Sequence, residues 1–402
     1  MDETALWDAI VVGCGPAGAV AGRELARRGW RVLVLEEHRE VGRPVQCAGL
    51  VTRGPLEIVR APQAVQNSLD SAQLISPGGK SILFGGEGER AVVIDRAVFD
   101  RAAACEAIDA GCSIRLGARV AGLRIHPAGG DGYAELSVAG HGRGRVRGRM
   151  VIGADGVQSA VARFCGIRPP PEILPGFEAE LAAVKGPEGT ARILVGRDVA
   201  PGFFAWLIPS GGGRGLLGLC CEPGETPAIR YFERLRGNPA LAPYIRDARI
   251  LRYIAGGVPV SAGSASFAER VLLVGDAAGQ VKPISGGGVY TGIRCALMAA
   301  QTASGALEEE DLSKGRLSAY ERKWKGELGR ELSIGRRIRR SYVHVTDAQM
   351  DELVGMLDRP KLLSLISARG DIDAPSELAK LLFRQAPGLL KFAGPFIKSL
   401  FK

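Results

Sequence analysis

An α/β fold with α+β character is predicted by three observations. First, the apolar run 9–12 ends in Gly13-Cys14-Gly15-Pro16-Ala17-Gly18; a helical pattern through Val20, Leu25 and Ala26 follows, then a second apolar run at 32–35. This is a β-α-β unit within about 30 residues. Second, a Gly-Asp segment, Gly275 to Gly292, lies far downstream between the apolar run 271–274 and a long apolar helical stretch. Third, residues 169–263 read as strands, with prolines at 169–171 and a glycine turn at 211–213. The prediction is a Rossmann-like nucleotide-binding domain, an inserted antiparallel β-sheet domain and a helical C-terminal region.

Residues 1–60, 92–168 and 264–308 are assigned to the discontinuous nucleotide domain, 61–91 and 169–263 to the β-rich unit, and 309–402 to the helical region. Within the first, Val92 opens a second segment, 102–110 reads as its helix, and 120–150 alternates like a hairpin or meander. Arg143, Arg145, Arg147 and Arg149 share one strand face, which reads as a solvated surface rather than a nucleic-acid contact. Leu317, Tyr320, Trp324 and Leu328 recur at helical spacing and predict a core-facing stripe.

The 402 residues are enough for a large core and two or three domains. A net charge of +9 favours anionic partners without choosing among them. Eight cysteines without a CxxC pair, beside only four histidines, argue against a zinc or iron–sulfur site. Free thiols in a reducing cytoplasm are expected. The chain begins without a signal-peptide pattern, and no apolar run is long enough to span a bilayer.

Each glycine of the first cluster has its own duty. Gly13 permits the strand-to-helix turn, Gly15 lets backbone approach a pyrophosphate, and Gly18 lets helix pack on strand. Glu36 closes the second strand 18 residues past Gly18, where a carboxylate accepts hydrogen bonds from ribose. Downstream, Asp276 is placed to bond the hydroxyls of an extended cofactor. Gly286, Gly287 and Gly288 open a helix whose N–H groups suit the pyrimidine edge of a flavin. Two distant grips on one nucleotide indicate a flavoprotein, with FAD as cofactor.

A third piece, Gly153-Ala154-Asp155-Gly156-x-x-Ser159, with Arg96 in IDRAVFD, resembles the p-hydroxybenzoate hydroxylase-like FAD superfamily. That resemblance implies that Asp155 braces the fold and Arg96 lies near FAD. Within the superfamily, three segments resemble the geranylgeranyl reductase family, in particular its digeranylgeranylglycerophospholipid branch. They are Gly42-Arg-Pro-Val-Gln-Cys47-Ala48-Gly49, Pro201-x-x-Phe204-x-Trp206-x-Ile208-Pro209, and the PISGGG form of 283–288. Phe204 and Ile208 stand where the family usually has Tyr and Phe, and Ala48-Gly49 where it often has Gly-Glu.

The resemblance implies FAD contacts at Gly13, Gly15, Ala17, Gly18, Glu36, Cys47, Ala48, Arg96, Val120, Asp155, Asp276, Gly287, Gly288 and Val289. It further implies a prenyl tunnel walled by Phe204, Trp206, Ile208 and Pro283. The expected reaction is FAD-dependent saturation of geranylgeranyl double bonds on a prenylated lipid or prenyl diphosphate. NADPH, a ferredoxin or another reductant would supply electrons, so an electron-donor protein is a candidate partner. Cys47 is expected to donate a proton or position the alkene; a small buried hydrophobe is the alternative. Residues 380–402 interleave Leu and Phe with Lys and Arg, which reads either as a peripheral membrane contact or as a helix packed on the core. Rival readings are a flavin monooxygenase, a reductase of menaquinone or phytyl tails, and a non-catalytic prenyl-lipid carrier.

Overall fold

A computed structural model describes residues 6–86, 88–126, 132–370 and 375–392. The chain opens with β1 (Leu6–Val12), α1 (Pro16–Ala26), β2 (Val32–Leu35), β3 (Leu50–Val51) and α2 (Gly54–Ile58). Four short strands follow, β4 (Val65–Leu69), β5 (Ser71–Ile75), β6 (Ser81–Gly85) and β7 (Ala91–Ile94), before α3 (Arg96–Asp109). Then come β8 (Ser113–Arg115), β9 (Ala118–His126), β10 (Tyr133–Gly140), β11 (Gly144–Gly153) and α4 (Ala160–Phe164). β12 (Ile173–Ala182), β13 (Thr190–Leu194), β14 (Ala205–Gly211) and β15 (Arg214–Cys220) precede α5 (Ala228–Arg236), α6 (Ala242–Ile245) and β16 (Arg249–Pro259). β17 (Phe267–Ala268) and β18 (Val271–Leu273) lead into α7 (Val289–Glu308), α8 (Lys314–Glu327), α9 (Gly329–Tyr342), α10 (Asp347–Leu357), α11 (Pro360–Arg369) and α12 (Pro375–Gln385).

The first sheet runs β17-β18-β11-β1-β2-β8, with β10 on β11 and β9 on β10. β18, β11, β1, β2 and β8 pair in parallel, so the ends of β1, β2, β11 and β18 converge on one edge. Uninterrupted apolar runs in β1 and β2 follow from burial on both faces. One face packs on Val20, Leu25, Phe99 and Ile293, from α1, α3 and α7; the other is covered by the β9–β11 meander and Val161 of α4.

The second sheet runs β16-β12-β15-β14-β13-β5-β6 and is antiparallel except where β13 joins β5 in parallel. That seam sews residues 71–85 to a unit otherwise contributed by residues 173–259. Alternation sorts its faces. Ala179, Leu181, Leu207, Leu217 and Leu219 pack under Phe232 and Leu235 of α5. Glu178, Trp206, Cys220 and Ile254 line the cavity on the opposite face. A small antiparallel sheet, β3-β7-β4, stands between the two.

Several sequence expectations meet the structure here. α3 starts at Arg96, not 102, because the Asp95 carboxylate caps it, accepting from Ala97 and Val98 N–H groups at 2.8 and 3.2 Å. Leu317, Tyr320 and Trp324 are buried, and Leu328 is partly so. The arginine face is largely held in pairs: Arg145 and Arg147 contact Glu135 at 3.3 and 3.0 Å, and Arg149 contacts Asp8 at 3.5 Å. Among the described residues no helix is long and apolar enough to cross a membrane. Leu382, Phe383, Leu389 and Phe392 pack with Leu353, Leu357 and Leu362, while Phe396, Ile397, Lys398, Leu400, Phe401 and Lys402 lie outside the described residues.

Candidate active site

The first glycine cluster is built as a seat. Gly13 has φ +97°, and a Cβ there would stand 2.4 Å from the Ala154 carbonyl oxygen. At Gly18 a Cβ would lie 2.0 Å from the Gly13 carbonyl oxygen, so this glycine brings α1 onto β1 and does not itself face the cavity. Around Gly15 the space is open, with no neighbouring atom within 4 Å of where a Cβ would point. α1 has no side-chain cap and no acidic residue in its first turn, which leaves its leading N–H groups and positive dipole end for an anion. Beside it the Glu36 carboxylate accepts from Cys14 N–H at 2.8 Å and His38 N–H at 2.9 Å, and His38 Nδ1 lies 2.7 Å away. Those bonds fix Glu36 at the cavity wall with lone pairs to spare for sugar hydroxyls.

The downstream Gly-Asp segment faces the same space. Gly275–Ala278 forms one 3-10 turn ended by Gly279 at φ +67°. Enclosed by protein yet open to the cavity, Asp276 has its carboxyl pushed up to about 6 by burial, with the Arg96 charge opposing. No described residue donates a hydrogen bond to that carboxylate, so its capacity is directed at whatever fills the cavity. α7 also begins without a side-chain cap, with Gly288 at its N-cap and Val289 as its first residue. Arg96 makes a two-pronged pair with Asp100 at 2.9 and 3.0 Å and reaches the Cys47 thiol. Burial lowers its basicity, but the Asp100 charge and that thiol act the other way, and the balance is upward. Asp155 accepts from Ser159 Oγ at 2.6 Å and Val161 N–H at 3.0 Å, pinning the start of α4.

One cavity of about 890 Å³ joins these pieces to the open face of the second sheet. Gly13, Gly15, Ala17, Glu36, Cys47, Ala48, Arg96, Val120, Asp155, Asp276, Gly287, Gly288 and Val289 all line it, as do Phe204, Trp206 and Ile208. Pro283 does not: it is buried against Gly335 of α9, and Lys282, Ser285 and Gly286 take the wall position. Phe203 stacks on Phe204 with centroids 4.3 Å apart, and Phe204 meets Trp206 edge-on at 5.9 Å. Cys47 sits between the two halves, its sulfur accepting from Gly49 N–H at 3.4 Å. Two wall residues had no sequence signal beyond being polar or soft within an apolar alternation, Glu178 and Cys220. A cavity with two uncapped helix ends, an unpaired carboxylate and a half-buried guanidinium fits FAD.

Comparison with known proteins agrees with this geometry. The FAD binding domain family matches residues 7–174. The chain is 31% identical to digeranylgeranylglycerophospholipid reductase 2 of Methanopyrus kandleri, over 98% of this chain and 100% of the relative. With the digeranylgeranylglycerophospholipid reductase of Methanosarcina mazei it shares 32% identity, over 90% and 92%. Among solved structures, a geranylgeranyl bacteriochlorophyll reductase-like protein from Thermoplasma acidophilum shares the fold at TM-score 0.85 and 24% identity, covering 98% of this chain and 99% of that one. A flavin-dependent brominase shares it more distantly, at TM-score 0.70 and 15% identity over 96% and 100%. FAD is therefore the cofactor of this cradle, and the chain belongs to the digeranylgeranylglycerophospholipid reductase family.

Proposed function

We propose that this chain is an FAD-dependent reductase that saturates carbon–carbon double bonds of geranylgeranyl chains carried on a phospholipid head group. The observation that carries this reading is the continuity of the cavity. One end is lined by the nucleotide cradle, the other by Phe203, Phe204, Trp206, Ile193 and Ile254, with Cys47 between. An isolated alkene offers nothing to hydrogen-bond, so apolar walls must hold it in place and keep water out. When bound and reduced, FAD supplies the hydride such a reaction needs.

The chain's own residues divide the remaining work. Gly15 and the α1 N-terminus seat the pyrophosphate, Glu36 the adenosine ribose and Asp276 the ribityl chain. Gly287, Gly288 and Val289 present N–H groups to the flavin ring. Arg96, itself held by Asp100, fixes the Cys47 thiol, and Cys47 bears on the alkene where the two halves meet. Electrons come from NADPH, a ferredoxin or another reductant. The lipid substrate is met at a membrane surface, to which the protein attaches peripherally.

The test is an anaerobic incubation of chemically reduced protein with digeranylgeranylglyceryl phospholipid, geranylgeranyl diphosphate and menaquinone, followed by mass spectrometry. Successive gains of two daltons on the phospholipid support the proposal. Saturation of another member of the panel alone moves the substrate elsewhere, a gain of sixteen in air indicates oxygenation, and no change leaves a carrier. Flotation with liposomes tests the membrane attachment, which fails if the protein stays with the soluble fraction when substrate lipid is present.

A further inference from the structure

Among the described residues, the cavity wall on the second sheet holds one carboxyl that no ion pair neutralises. Glu178 lies on β12, opposite Gly218 of β15 and Ile254 of β16. Two residues along the same face, Glu180 is held by Arg214 at 3.3 Å and Arg252 at 2.7 Å. Glu178 has no such partner: its Oε2 accepts from the Trp206 indole N–H at 2.7 Å, and its enclosed Oε1 has no partner among the described residues. Only 4% of Glu178 is exposed, and it lines the same cavity as Cys47 and Asp276.

This placement is built rather than incidental. A Cβ on Gly218 would stand 2.8 Å from both the Trp206 ring and the Glu178 Cβ, so the absent side chain makes room for the indole to reach the carboxyl. The titratable and charged groups facing Glu178 are Glu180 on its own strand, Arg252 on β16 and Cys220 on β15; β14 offers only the neutral indole of Trp206. Burial pushes the Glu178 carboxyl up to about 7, with the Trp206 hydrogen bond and the Arg252 charge opposing and Glu180 adding to the rise. A buried carboxyl with one oxygen anchored and the other unpartnered, in an otherwise apolar wall, suits the protonated form, which has a hydrogen to give.

We propose that Glu178 is the proton source for the alkene: its protonated carboxyl, held by the Trp206 indole, forms part of the cavity wall that the double bond meets. The inference rests on the reading of this chain as a prenyl reductase. The π bond breaks, one carbon accepts hydride from the two-electron-reduced flavin, and the other forms a C–H bond with the carboxyl proton. The O–H electron pair remains on the carboxylate, which keeps the indole hydrogen bond, and water returns the proton before the next turnover. Cys47 then has a positioning part, and the proton comes from the opposite wall.

The test uses the full-length FAD-loaded protein with Glu178→Gln and Trp206→Phe variants. Single-turnover saturation of digeranylgeranylglyceryl phospholipid is followed from pH 5 to pH 9, beside infrared spectra of each protein in H2O and D2O. Expected for wild type are a rate that falls above about pH 7 and a carboxylic-acid band at pH 6 that shifts in D2O. Glu178→Gln should keep its FAD, lose that band and saturate about 100-fold or more slowly without the alkaline limb. Trp206→Phe removes a donor to the carboxylate, so its alkaline limb should move up by about one pH unit. Glu178→Gln turnover within about threefold of wild type, with an unchanged pH profile, overturns the role, as does an infrared spectrum that Glu178→Gln does not alter. If Glu178→Gln does not fold, an unmoved limb in Trp206→Phe overturns it. A wild-type protein that saturates no prenyl substrate brings down the functional reading itself, an outcome distinct from a saturating wild type beside an equally active Glu178→Gln.

Discussion

The Gln280 side-chain amide donates to the Tyr320 hydroxyl at 2.8 Å, and that hydroxyl donates to the Leu273 carbonyl at 3.0 Å. Gln280 Oε1 in turn accepts from Gly275 N–H at 2.8 Å. Through these two side chains α8 holds the Gly-Asp turn against the end of β18. All the groups involved are buried, so each bond is expensive to lose.

Tyr320→Phe should therefore act at a distance from the cofactor. It leaves the Gln280 amide and the Leu273 carbonyl short of a partner, at a cost of about 1–3 kcal/mol. The expected result is a lower urea midpoint for the apoprotein and a several-fold weaker FAD affinity, measured by flavin fluorescence titration.

Two alanine substitutions one helical turn apart should fail in different ways. Gly18→Ala drives a methyl to 2.0 Å from the Gly13 carbonyl oxygen and should prevent α1 from seating, giving insoluble protein. Gly15→Ala meets no protein atom within 4 Å and has an extended conformation with an ordinary φ of −71°, so the apoprotein should melt like wild type. Its methyl instead occupies the pyrophosphate approach, and FAD binding should weaken by a factor of about ten or more. Equal FAD affinity in Gly15→Ala would remove the phosphate seat from α1.

Asp276 should leave a signature in the pH dependence of apoprotein stability. Its folded pKa of about 6 lies above the ordinary value of 3.8, so the folded state holds the proton more tightly than the unfolded chain. That contribution is fully present below about pH 4 and is lost as pH rises through 6. Asp276→Asn should raise apoprotein stability at pH 8 by about 1–3 kcal/mol and flatten the decline between pH 4 and 6. It should at the same time weaken FAD binding, because the amide offers one acceptor where the carboxylate offers two.

Cys47→Ala should retain FAD, since the thiol's neighbours Arg96 and Gly49 are held independently through Asp100 and the Ile94 backbone. Its saturation rate should fall by about 10-fold or more through looser alkene placement. Full turnover in this variant would reduce Cys47 to a small apolar wall residue.

The parts legible from sequence are those whose meaning is local. Gly13, Gly15, Gly18, Glu36 and Asp276 each belong to one turn or one strand of a recognisable pattern, and the structure brings all of them but Gly18 to the cavity wall. The helix α3 begins at Arg96, six residues before the alanine-rich stretch that marks it in the sequence, because the Asp95 carboxylate caps it there. Glu178 could not be read in this way, because its partner lies 28 residues away on β14 and its moderating charge 74 residues away on β16. Pro283 sits in a turn without period, so nothing in the sequence told which side it would face. The parallel β13–β5 seam joins segments more than 100 residues apart and leaves no mark in either strand.

Across the cavity face of the second sheet, Gly256, Gly176 and Cys220 lie side by side on three adjacent strands, and Gly218 stands one row further on. The width of the channel is therefore written in what these positions lack. A methyl at Gly176 would press on Cys220 Sγ at 2.9 Å, whereas one at Gly256 meets only Gln46 at 3.6 Å. Substrate preference in such a wall is a subtractive property: the calibre can be reduced in small steps at positions outside the nucleotide cradle, with Gly256 yielding more readily than Gly176. Cradle and calibre are thus set by separate residues: the wall can narrow at Gly256 or Gly176 while Gly13, Gly15 and Asp276 stay as they are.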